Sequence, residues 1–298
     1  MNILTKPFDF DLNILSPIKT VGSIEKICFP TCVSEVQEAF LYAKENALKP
    51  FVLGGGSNTL IGHPKNTLFI SDRKYKSIWE VAEISDLKNK KYGNLIVSSN
   101  TSINFFITKA ASERYYGLEF LAGIPAHLGG LTCMNAGAYE QNISDYIEWI
   151  AVVDDDGEKT ILKEDLKLGY RTSNINGFIS KICFKLKYEE NDDYSNLIKG
   201  KIDKYINDRE AKHDMKNPSL GCFFKNPENN HAGYLIDQAG LKSFKIGGAM
   251  VSEKHANFLI NTGNATYEDF INLINHVQKV VYDKHSIHLD LEIKLIND

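Results

Sequence analysis

Arginine is scarce in this chain. Only Arg73, Arg114, Arg171 and Arg209 occur, within a combined Lys and Arg count of 34. Lysine carries the bulk positive charge, so each arginine marks a place where a rigid planar fork of donors has a use that a point charge lacks. Cysteine is sparse as well. The five residues, Cys28, Cys32, Cys133, Cys183 and Cys222, are odd in number and scattered. Cys28 and Cys32 form a CxxxC pair with no second Cys or His pair at zinc spacing, so no metal is expected. Unpaired thiols suit a reducing, cytoplasmic setting. No apolar run approaches the roughly 18 to 20 residues of a membrane span, so no membrane partner is expected. The opening MNILTKPFDFDLN carries acidic residues and no long apolar core, unlike a secretion signal. Internal repeats and low-complexity tracts are absent. There is no excess of positive charge either: the net charge is -4 at pH 7, which argues against a nucleic-acid surface.

What is present is material for a core. The 298 residues are 43% hydrophobic and 24% charged, with 16 Phe and 14 Tyr. That is a globular composition with a prior of roughly two domains. SEVQEAFLYAKEN (34–46) has apolar residues at helical spacing behind a Ser34/Gln37 capping box. PFVLGGGSNTLI predicts a short buried strand running into a glycine-rich turn, and TLFISD (67–72) another strand, so the opening has α/β character. A helix is expected near 103–116, stopped by Gly117. WIAVVDDDGEKTIL predicts a hairpin turning at Asp156-Gly157, and KICFKLKYEE a further strand. NDDYSNLIKGK (191–201) looks linker-like, with a helix near 198–212 after it. A helix beginning at Thr266 places residues 267, 270, 271, 274, 277 and 281 on one face. HLDLEIKLI (288–296) alternates as a half-buried strand.

Several segments are candidates for chemistry. Three consecutive glycines in LGGGSN let backbone N–H groups close around an anion. The segment is neither the dinucleotide fingerprint, since Thr59 stands where a glycine is needed, nor a P-loop. A purely structural turn accounts for it equally well. LAGIPAHLGGLTCMNAGAYE (121–140) is rich in Gly and Ala, which means close approach by something flat or by another backbone. YRTS (170–173) sets one of the four arginines before two hydroxyls. NPSLGCFFKNP (217–227) holds Cys222, for which a packed thiol and a reactive one both remain open. The histidines lack paired spacing and are expected in ordinary packing or surface roles.

In order along the chain, FVLGGGSNTLI, GLEFLAGIPAHLGGLTCMNAGAY, YRTS, NPSLGCFFKNP, AGYLIDQAGLKSFKIGGAMVSEKHANFLINTGNAT and LDLEIKLI together resemble the UDP-N-acetylenolpyruvoylglucosamine reductases. These flavoenzymes make UDP-N-acetylmuramate for bacterial peptidoglycan. The resemblance implies an α+β chain with an FAD-binding module of the vanillyl-alcohol-oxidase type in two subdomains, plus an α+β substrate-binding domain. The implied limits are 1–72, with the strand 287–298 returning to it, then 73–190, then 197–286. The implied cofactors are bound FAD and NADPH as co-substrate. The implied partner is the small molecule UDP-N-acetylglucosamine enolpyruvate, and the protein is expected to be a monomer.

By the same resemblance, Gly54, Gly55, Gly56, Ser57 and Asn58 hold the FAD pyrophosphate. Gly123, Ile124, Pro125, Gly129, Gly130, Asn135, Ala136 and Gly137 line the flavin. Lys225, Asn226 and Tyr170 bind substrate. Arg171, Glu292 and Cys222 are implied to be catalytic: hydride reaches the β-carbon of the enolpyruvyl ether, Arg171 forks onto the neighbouring carboxylate, and Cys222 protonates the α-carbon. Many relatives have serine where Cys222 stands, and a thiol is the stronger acid. Two departures remain. SPIKTVGSIEKICFP lacks the family's Gly-Gly pair, and the interval from YRTS to Cys222 is too short for one subgroup's tyrosine-bearing insertion. An oxidase of the same fold and an inactive nucleotide-sugar binder stay open as rivals.

Overall fold

A computed structural model describes residues 10–87, 90–191 and 193–297. The first nine residues of the opening segment, and Asp192 in the tract read as a linker, lie outside the described residues. The described chain divides into two compact units. One comprises residues 28–55 and 68–209, the other 10–27, 56–67 and 210–297.

The first unit is organised by a six-stranded sheet. Its order is Gly157–Leu162, Ile147–Asp154, Phe178–Tyr188, Lys90–Ser98 and Trp79–Leu87, with Tyr115–Tyr116 also pairing onto Phe178–Tyr188. Phe178–Tyr188 is buried on both faces over most of its length, as a central strand requires. Ile103, Phe106, Ile107 and Ala110 form the buried stripe of the helix Ile103–Ser112, and Phe106 packs at 5.4 Å from the Phe184 ring. This helix ends short of the expected 116, because Tyr115 and Tyr116 leave it to pair with the sheet. The hairpin turns one residue earlier than expected, at Asp155-Asp156, and Gly157 already pairs with Asp154. Val33–Glu45 is helical as expected and buries Val36, Ala39 and Ala43. The Ser34/Gln37 capping box does not form. The Glu35 carboxylate instead accepts from the Thr31 N–H at 2.7 Å and from its hydroxyl at 2.9 Å, while Gln37 donates to the Asp155 carbonyl.

The tract expected to be a linker is mostly helix, Asp193–Lys212. Ile198 is its fully buried side chain, set with Ala111 and Tyr116. The helix expected near 198–212 forms and begins five residues earlier, with Ile202 and Ile206 packed against the first unit's core.

The second unit holds a four-stranded sheet in the order Ser219–Cys222, Phe258–Asn261, Ala249–Val251, Lys245–Ile246. The helix Tyr267–His285 packs Phe270, Leu273, Ile274, Val277 and Val281 into the core of this unit. Thr266 caps it with a reciprocal box to Asp269, which satisfies two donors that a helix start leaves orphaned. The expected strand 288–296 shortens to Lys294–Ile296, parallel to Thr59–Ile61. Before it, the backbone bonds in isolation to the cysteine segment, through one bridge between Phe224 and Leu291, so no ladder builds. Among the described residues no helix is long and apolar enough to cross a membrane.

Candidate active site

In the first unit the glycine turn follows directly from the strand Lys49–Leu53. Next to it lies a buried carboxylate–imidazole pair. A single turn after Thr67–Ser71 turns Asp72 inward, where it is 3% exposed. An ionised carboxylate so placed needs a partner, and His127 Nδ1 meets its two oxygens at 3.0 and 2.9 Å. The glycines sit close above this pair. A Cβ at Gly55 would come 3.5 Å from His127 Cδ2, and one at Gly54 would come 3.5 Å from Asp72 Oδ2. Gly55, Arg73, Asn100, Ser102, Pro125, Ala126 and His127 line a cavity of about 420 Å³, within the size range of small-molecule sites. Two of the motifs expected at the cofactor, LGGGSN and AGIPAHLGG, thus meet around the Asp72–His127 pair. Sequence reasoning missed Asp72 and His127, because the histidine's partner lies 55 positions away. The available signal was a titratable ring inside a run of small residues.

The remaining flavin candidates occupy the segment that follows, residues 123–137. Ile124 packs on the core cluster, and its carbonyl accepts from the Ala126 N–H and from Asn104. Gly123 is held near the helix end, where Arg209 donates to the Ala122 and Phe120 carbonyls at 2.8 and 2.9 Å. Gly129 and Gly130 lie in the short helix Leu128–Cys133, and the Gly129 N–H donates to the Ser99 carbonyl. Asn135 and Ala136 are buried. Asn135 donates to the Gly169 carbonyl at 3.1 Å, and Gly137 accepts from Arg171 Nη2 at 3.1 Å. Tyr170 and Arg171 form the turn of a small hairpin between Leu168–Gly169 and Thr172–Ser173, with the guanidinium 5.1 Å from the Tyr170 ring. These two bonds bring the NAGA segment onto Gly169 and the YRTS turn that follows it.

In the second unit, Gly56 adopts φ +73, and a Cβ there would stand 2.6 Å from the Leu15 carbonyl oxygen, so only glycine fits. Asn58 accepts from the Lys294 N–H at 2.9 Å and donates to the Glu292 carbonyl at 3.2 Å. Cys222 ends the strand Ser219–Cys222 after a register shift, with Gly221 at φ +77. Such a bulge re-aims the side chain that follows it. The Glu292 N–H donates to the Phe223 carbonyl at 2.8 Å, and the Lys225 N–H to the Asp290 carbonyl at 2.8 Å. Asn226 accepts from the Ala232 N–H through Oδ1. Cys222, Lys225, Asn226, Glu292 and Asn58 therefore lie on neighbouring backbone, although the chain separates them widely.

Known proteins resemble this arrangement along its whole length. Residues 213–296 match the family model described as UDP-N-acetylenolpyruvoylglucosamine reductase, C-terminal domain, and residues 24–162 match an FAD binding domain. The UDP-N-acetylenolpyruvoylglucosamine reductase of Listeria welshimeri serovar 6b is 35% identical over 309 residues, covering 100% of both chains. That of Clostridium botulinum (strain 657 / Type Ba4) is 35% identical over 285 residues, covering 94% of this chain and 89% of its own. The crystal structure of UDP-N-acetylenolpyruvylglucosamine reductase from Thermus caldophilus superposes with a TM-score of 0.77 at 28% identity, covering 96% of this chain and 97% of its own.

Proposed function

The chain belongs to the family of UDP-N-acetylenolpyruvoylglucosamine reductases, and from that premise we propose how its own residues divide the work. The reaction is the FAD-dependent reduction of UDP-N-acetylglucosamine enolpyruvate to UDP-N-acetylmuramate with NADPH, in peptidoglycan precursor synthesis. FAD, when bound, supplies hydride transfer between NADPH and the substrate's β-carbon. The cofactor is assigned to the two subdomains within 1–190 and the uridine diphosphate to 197–286, supported by the two family matches. A nucleotide-linked sugar and NADPH as reactants favour a cytoplasmic setting. The glycine turn fits the cofactor's diphosphate. Its Cβ-free backbone and the adjoining cavity leave the room that an anion and its N–H donors need.

Cys222 gives the thiol proton to the α-carbon as the β-carbon receives hydride, and its thiolate regains a proton from solvent. Arg171 forks onto the substrate carboxylate, into which the charge at the α-carbon spreads. Glu292, set beside that charge in this reading, would repel it if ionised. It therefore acts protonated, or through a hydrogen bond that orients its neighbours. Lys225 and Asn226 take the uridine diphosphate, and Tyr170 contributes to substrate binding.

The observation that carries this reading is the 2.8 Å bond from the Glu292 N–H to the Phe223 carbonyl. It sets the glutamate beside the residue that follows the cysteine. The test is anaerobic: NADPH bleaches the flavin, and the enolpyruvyl substrate then restores its colour and yields UDP-N-acetylmuramate. Recovery with oxygen alone would mark an oxidase. A colourless protein that binds the nucleotide sugar would mark an inactive binder.

A further inference from the structure

The Asp72–His127 pair beneath the glycine turn has no part in the chemistry above. Asp72 is buried and acceptor-only when ionised, so His127 Nδ1 must donate to it. That bond orients the ring and leaves Nε2 as the nitrogen available to a ligand in the cavity that His127 lines. Arg73 lines the same cavity, one residue beyond Asp72. Asn100, also in the lining, donates through Nδ2 to the Tyr75 carbonyl at 2.8 Å, and its Oδ1 is buried without a hydrogen-bond partner. The site thus sets the Arg73 guanidinium, the His127 ring and an unmatched acceptor around a space that the glycine backbone borders. An anion bearing nearby hydroxyl or amino donors complements all of these groups, and a phosphate ester of a nucleoside is such a molecule.

We propose that His127, held by Asp72, and Arg73 are side-chain anchors for the cofactor's diphosphate, added in this chain to the backbone amides of the glycine turn. In the complex His127 faces the diphosphate through Nε2, and the buried Asp72 carboxylate at Nδ1 fixes the ring's orientation. Asp72 is a positioning residue and touches no ligand. The inference rests on the assignment of FAD to this unit.

The full chain, stripped of cofactor, is titrated with FAD and separately with riboflavin, which lacks phosphate; flavin fluorescence reports binding. His127→Gln and Arg73→Gln should each weaken FAD binding about 10- to 100-fold, the range for a lost charge-assisted hydrogen bond. Riboflavin affinity should stay within about twofold, a ratio that mere loosening of the fold would not produce. Asp72→Asn should follow His127→Gln in direction. The salt dependence of FAD binding should flatten in Arg73→Gln. Unchanged FAD affinity, or equal weakening toward FAD and riboflavin, would overturn the proposal. Should His127→Gln fail to fold, Arg73→Gln decides. A wild-type chain that binds neither flavin overturns the cofactor assignment itself, which distinguishes that failure from failure of the anchor alone.

Discussion

Arg171 occupies the turn of its hairpin at φ +55, a conformation that lysine adopts at the same small cost. Arg171→Lys therefore isolates the planar fork from charge and strain together. We expect it to slow substrate-dependent flavin oxidation strongly while leaving bleaching by NADPH near normal; near-normal turnover would mean a point charge is enough. Cys222 is open to a parallel separation. Cys222→Ala should leave NADPH oxidation nearly intact and slow reoxidation by substrate about 10²- to 10⁴-fold, the usual cost of losing a general acid. Equal damage to both half-reactions would remove the assignment. Cys222→Ser should retain substantial activity and lose sensitivity to iodoacetamide. The structure ranks the other thiols. Burial pushes Cys28 up to about 12 and Cys183 up to about 11, so both should react slowly. Cys32 differs: the hydrogen bond with Ser34 lowers its thiol below the ordinary value. Mass spectrometry should find Cys32 alkylated without loss of activity. A Cys222→Ser enzyme still inactivated by the reagent would shift attention to Cys32 or Cys133.

At the level of elements, the helix Tyr267–His285 offers a pH-dependent handle. Burial alone would raise the Asp269 carboxyl, but bonds from the Thr266 and Gly248 N–H groups and the Thr266 hydroxyl hold it below its ordinary value near 3.8. A depressed carboxyl contributes stability that is fully present above its unfolded value and is lost as pH falls through the folded one. Asp269→Asn should therefore be less stable than wild type at pH 7 and lose less than wild type on acidification below about pH 4. Urea melts at several pH values check this, and parallel stability curves would refute it. The same helix shows what was legible beforehand. Its start at Thr266 and its buried face follow from apolar spacing, because packing enforces that period. Of Asp193–Lys212 the stretch from 198 was legible as helix, whereas the polar residues before it were read as a linker. The strand Lys294–Ile296 was overextended because alternation persists where the backbone bonds to isolated partners. Contiguous motifs of the candidate site stood out in the sequence. The Asp72–His127 pair did not, since nothing local to either residue announces the other.

The whole chain has the fold class expected from its motifs, α+β with a flavin-binding module. Its two units are not cut from continuous stretches. Ile18 and Leu60 are both fully buried in the core of the second unit, and Asn261 donates to the Ile18 and Lys19 carbonyls at 2.9 and 2.8 Å. The strand Thr59–Ile61 supplies the parallel partner of Lys294–Ile296. A fragment of residues 210–298 lacks all of these, so we expect it to show no cooperative thermal transition by circular dichroism. A sharp melt close to that of the full chain would show the early segments to be dispensable. This interleaving also sets an order of events during synthesis. On the ribosome, Leu60 emerges 160 residues before its core neighbour Leu220. At ordinary elongation speeds that is a wait of roughly ten to thirty seconds. During that time the early segments have only each other in their own unit and lack the helix Tyr267–His285 and the strand Lys294–Ile296, whereas residues 68–209 can already fold around their sheet. The growing chain is thus most open to chaperones, or to mispairing with a neighbouring nascent copy, at its beginning rather than at its tip.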